Sequence, residues 1–146
     1  MRLSEPEQLA STAEDEFQPD YSGDGKYIGF HVTRSAALRD LYVMPAGGGP
    51  RQRVQVFTKN NFAPHLSADG QAMVYNCPLP ERAQICASRR TSGPAAESLF
   101  AIPQAINPDW STYQNYRFSF DVHGSTLYIS LAQPESDVWL AEIKAH

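Results

Sequence analysis

The chain repeats itself. Residues 17–30 align with residues 62–75 at a constant offset of 45, with Phe17/Phe62, Pro19/Pro64, Ser22/Ser67, Asp24/Asp69 and Gly25/Gly70 identical. A looser third copy covers residues 118–129, with Gly124 lying 54 residues beyond Gly70. Behind each copy a second apolar run follows its Gly by 13 to 15 residues, at 40–43, 84–87 and 137–140. A period of this length restricts a chain to supersecondary units that stack, because one unit cannot bury its own apolar face.

The units are β-structured. Apolar side chains alternate at 27–32, 73–75 and 127–131, and the 9 Gly and 11 Pro stand between such runs, not within helical patterns. In Ser22-Gly23-Asp24-Gly25 the Asp side chain accepts backbone hydrogen bonds and the Gly supplies a positive φ, the chemistry of a tight hairpin. Pro19 and Pro64 are expected at the start of the strand before that turn, where a missing N–H costs least. Tyr21 and Leu66 are expected to pack between neighbouring sheets. The spacing predicts an all-β chain of three four-stranded units, at roughly 16–58, 61–102 and 115–142. Pro108-Asp109-Trp110-Ser111 echoes the motif without an Asp-Gly and is read as an insertion, the register being set by Gly124.

Four strands and an Asp-Gly turn per unit form the pattern of a propeller blade. Residues 19–30, 40–44 and Gly47-Gly48-Gly49 resemble the TolB-like, WD-type β-propeller family, with Gly23 where that pattern has Pro. The second copy departs further, with Ala68, Leu66 and Cys86 in place of Pro, an aromatic and Tyr. The resemblance implies six blades, hence half a ring in this chain. Half a ring is expected to leave the apolar faces of its outer sheets bare. A homodimer of 3 + 3 blades solves this, residues 2–10 of each chain supplying the closing strand of the other's last blade. A segment of a longer propeller is the alternative.

Composition excludes several classes. A 42% hydrophobic content over 146 residues suffices for a core. With 12 basic against 16 acidic residues the net charge is −4, which offers a polyanion no attraction, so nucleic acid is not expected as a partner. No apolar stretch is long enough for membrane insertion, and residues 1–7 turn polar at once, unlike a secretory leader. A periplasmic location would require a leader removed beforehand.

Chemistry is sparse. Cys77 and Cys86 fall on neighbouring strands, where a cross-strand disulfide is possible but two buried thiols are the expectation. The four His lack metal-ligand spacing, and residues 20–31 fail as a calcium loop because His31 stands at position twelve. No phosphate-binding glycine loop or nucleophile elbow occurs. Cofactors, metals and catalytic residues are therefore not expected. Polar residues leading into the inner strands (Glu16, Asn61 and Asn115), with His65 on one of them, are the candidate ligand-contacting set at the channel mouth. The expected function is a non-catalytic module binding a protein or peptide there. The alternative is a propeller hydrolase, lyase or metal-binding protein, for which His65, Arg117 and Glu16 form the one available set.

Overall fold

The computed structural model describes residues 8–9, 12–54, 56, 58–77, 84–90, 97–101, 118–123, 126–131 and 137–142. They form three antiparallel sheets. The first runs β1 (Asp15–Tyr21), β2 (Tyr27–Ser35), β3 (Leu38–Pro45) and β4 (Gln52–Arg53), in that spatial order. The second runs β5 (Phe62–Leu66), β6 (Ala72–Asn76), β7 (Gln84–Arg89) and β8 (Glu97–Ala101). The third contains β9 (Phe118–His123), β10 (Thr126–Leu131) and β11 (Asp137–Glu142). Each alternating run and each following run lies in a strand. Phe118 opens β9, and the residues 108–111 read as an insertion lie outside the described residues. No helix among the described residues is long and apolar enough to cross a membrane.

The recurring Ser, Asp and Gly build one turn twice. Ser22 Oγ donates to Asp24 Oδ1 at 2.7 Å, the Lys26 N–H donates to the same oxygen at 3.1 Å, and the Tyr27 N–H reaches Ser22 Oγ at 3.0 Å. Ser67, Asp69, Gln71 and Ala72 repeat these bonds at 2.7, 3.0 and 2.9 Å. Gly25 and Gly70 take φ of 70° and 66°, the left-handed values that a side chain resists. The Ser22 hydroxyl, then the Lys26 N–H, hold the Asp24 carboxyl down at about 2. Each motif therefore fixes its hairpin by local bonds before any sheet packing is considered.

The prolines do not start their strands. Pro19 and Pro64 lie inside β1 and β5, each at a bulge. Three steps from Phe17 to Asp20 oppose two from His31 to Gly29, and Phe62 to His65 likewise opposes Asn76 to Val74. The residues before them, Gln18 and Ala63, have φ of 51° and 48°. A proline has no N–H for the ladder and is accommodated where the ladder is interrupted. β9 has Phe120 in place of Pro and pairs with β10 without a shift.

The first two sheets pack face to face. Leu41, Val43 and Val54 of the first meet Leu66, Met73, Tyr75, Cys77 and Cys86 of the second in one buried cluster. Gly29 permits the approach, since a Cβ there would sit 2.9 Å from Met73 Cε and 3.1 Å from Leu66 Cγ. At the turns the Asp24 N–H donates to the Ala68 carbonyl at 2.8 Å. A Cβ at residue 23 would lie 3.0 Å from Ala68 Cα, so Gly23 lets the two turns approach this closely.

Cys77 and Cys86 are joined in a disulfide, a correction to the two thiols expected from sequence. Register is the reason. The Cys77 N–H donates to the Gln84 carbonyl at 3.1 Å, so Cys86 is the next same-face residue on β7, with Cα atoms 5.9 Å apart. That is bridging distance.

The outer face of the first sheet is not bare. Ile28, Phe30, Val32, Tyr42 and Met44 form a second buried cluster, with Leu9 and Ala46 packed on it. Arg51 lies 4.5 Å over the Tyr42 ring and bridges to Glu14 and, at 2.9 Å, to Glu16. Arg34 and Arg53 reach Asp40 at 3.4 and 2.6 Å. Leu66 packs between sheets as expected, but Tyr21, paired with Ile28 on this outer face, is 56% exposed. The expected closing strand 2–10 lies outside the described residues except for Gln8 and Leu9, which are not in a strand.

Two stability effects follow. Met73→Ala should cost about 2–5 kcal/mol in urea unfolding, as a buried truncation between two sheets. Cys77→Ser with Cys86→Ser should cost about 2–3 kcal/mol, a loss that a reducing agent reproduces in the native chain.

Candidate functional site

The inner strands of the three sheets bring one column of side chains together. Asp20, His65 and Asp121 each stand three residues after the Phe that begins their copy of the repeat (Phe17, Phe62, Phe118). His65 Nδ1 lies 3.9 Å from Asp20 Oδ1 and 3.6 Å from Asp121 Oδ1. Asp20 is anchored, because its Oδ2 accepts the Leu66 N–H at 2.8 Å across the sheet boundary. Beside it, Gln18 Oε1 accepts the Ala63 N–H at 2.9 Å. The bulges of β1 and β5 set this geometry: the extra residue turns Asp20 onto the face of Gly29, toward the second sheet.

Burial is graded across the cluster. The His65 side chain is 24% exposed and that of Asp121 is 77% exposed. Asp121 Oδ1 also accepts its neighbour's N–H, from Val122 at 2.8 Å. Both carboxylate–imidazole separations exceed hydrogen-bond length. On the strand of Asp20, Phe17 is an exposed aromatic whose ring stacks on His31 with centroids 5.5 Å apart.

The residues expected at the channel mouth are placed differently from one another. His65 occupies the cluster just described. Glu16 pairs with Val32 in the ladder, on the outer face of the first sheet, where it is bound by Arg51 and by the Thr12 hydroxyl at 3.0 Å. Asn61 is 0% exposed: its Nδ2 donates to the carbonyls of Thr58 (2.6 Å) and Arg39 (3.3 Å), and its Oδ1 accepts from Thr58 Oγ1 (3.0 Å). It closes a connection between the two sheets. Asn115 and Arg117 lie outside the described residues. The structure thus does not bring Glu16 and Asn61 to His65. Asp20 and Asp121, which it does bring, share with His65 a ladder position, each opposite the residue four after its Gly (Gly29, Val74 and Tyr128); counted back from the Gly, Asp20 and His65 share a column and Asp121 falls two residues out of it. Among the described residues no group of His, Cys, Asp and Glu is arranged to hold a metal ion.

His31 is a second buried polar group on this side of the first sheet. It is 5% exposed and its Nδ1 has no hydrogen-bond partner. Burial first, and the Arg39 charge second, lower its pKa from 6.5 to about 4. The neutral ring is therefore the folded form, and between those values the unfolded chain binds more protons. Stability should rise by roughly 2 kcal/mol as pH goes up through this window and fall again on acidification. His31→Phe should flatten that slope in denaturant midpoints measured across the same range.

No family model matches the sequence, and no curated protein does. Solved structures do. TolB from Acinetobacter baumannii is 18% identical over 77% of this chain and 28% of its own, with a TM-score of 0.49. The β-propeller domain of the Trilobed protease from Pyrococcus furiosus, described as having an open velcro topology, is 13% identical over 89% of this chain and 39% of its own, at 0.58. A TolB candidate from Agrobacterium tumefaciens is 16% identical over 86% of this chain and 48% of its own, at 0.52. The chain thus spans less than half the length of each, and its three sheets are blades of a partial β-propeller fold.

Proposed function

We propose that the chain is a non-catalytic β-propeller interaction module that takes a protein or peptide segment at the mouth of its channel. The observation that carries this reading is the meeting of Asp20, His65 and Asp121 from three separate inner strands. Strand ends around a propeller axis are where side chains from different blades converge on one ligand. The hydrolase or lyase alternative needs Glu16 beside His65, and Glu16 is held on the opposite face by Arg51.

Two copies complete the ring in this proposal, giving 3 + 3 blades. Three blades fall short of the four to eight with which propellers close. The exposed ring of Tyr21 on the outer face of the first sheet supports an abutting neighbour there.

Light scattering should return the mass of two chains, and Tyr21→Arg should shift it to that of one. A wild-type monomer would overturn the ring. Peptides selected from a displayed random library should perturb amide signals on β1, β5 and β9. A footprint confined to the outer strands would refute the binding reading.

A further inference from the structure

The guest at the channel mouth carries its own charge requirement. Two carboxylates lie beside one imidazole nitrogen, so with both ionised the cluster's formal charge is −2 with His65 neutral and −1 with it protonated. The chain around it is acidic as well, at net −4. Asp20 is locked by the Leu66 N–H, and its other oxygen is held toward His65. Asp121, beside the same nitrogen, Nδ1, is open to solvent. The acceptors are therefore preorganised on rigid strands, and one of them is reachable from the channel. Phe17, exposed on the strand of Asp20, adds an apolar surface, and the buried His31 beneath it presents a nitrogen with no partner on the same face of the sheet.

From this we infer that Asp20, His65 and Asp121 select a cationic group of a partner peptide, either a Lys or Arg side chain or a free N-terminal amine. Such a donor makes charge-assisted hydrogen bonds to the carboxylates, which are stronger than neutral ones, and its charge offsets the repulsion between them. A guanidinium or ammonium also lies favourably over an aromatic face such as that of Phe17. An acidic segment would meet uncompensated like charge and be rejected.

The inference rests on the peptide-binding reading, and the test separates the two. Peptides selected on the whole protein from the displayed library are remade in three forms: as selected, with each Lys or Arg replaced by Gln, and with the N-terminus acetylated. Binding of each is measured by calorimetry to the wild type and to Asp121→Asn, which removes an exposed carboxylate and leaves the Asp20 anchor intact. Asp20→Asn and His65→Gln are measured alongside. The expected result is about a tenfold or greater loss of affinity for one neutralised form, equalled by Asp121→Asn and reduced at high salt. Loss on the Gln forms identifies a side chain, and loss on acetylation identifies the terminal amine. Peptides that bind at β1, β5 and β9 but tolerate all three changes would overturn the charge assignment and leave the interaction module standing. No peptide binding at those strands would remove both.

Discussion

The contact between the first and second sheets is the constraint on which the site depends. A single sheet of this kind has two faces and no interior, so nothing holds a side chain in place until a second sheet covers one of them. Here Leu41 and Val43 meet Leu66, Met73 and Tyr75, and the absent Cβ of Gly29 sets how closely they meet. The same approach lets Asp20 reach the Leu66 backbone and brings the turn of residues 22–25 against Ala68. Any bulk at residue 29 would widen the gap and move the carboxylate away from His65. Packing and site geometry are one adjustment.

Local chemistry was legible in the sequence and lateral chemistry was not. The Ser-x-Asp-Gly turns are closed by bonds within a few residues, so their letters alone foretell the hairpins, and the register of the strands follows from them. The departures from the repeat had a different origin. Gly23 answers Ala68 of the neighbouring turn, a residue 45 positions away. The cysteines were separable into thiols or a bridge only once the pairing of β6 with β7 was known.

The site shows the same division. Polar residues before an inner strand invite the reading that they face a channel, but polarity does not say where a side chain turns. Asn61 turns inward because its amide has three backbone and hydroxyl partners waiting there. Glu16 turns outward because the alternation of β1 puts it beside Val32, within reach of Arg51. His65 stands beside Asp20 and Asp121, neither of which the sequence reading had set with it. Its column in the Gly-set register holds Asp20 but not Asp121, which comes into line only through the pairing of β9 with β10.

The bulges bear on how the inner edges behave toward other chains. β1 and β5 border their sheets, and each carries a proline within a kinked stretch that cannot donate a full row of amide hydrogens. An extended foreign strand finds no continuous ladder on either, a means by which natural sheets resist templated growth. β9 has neither proline nor kink, and its pairing to β10 is regular from Phe118 to His123. Among the described residues it is the inner strand whose ladder runs without interruption.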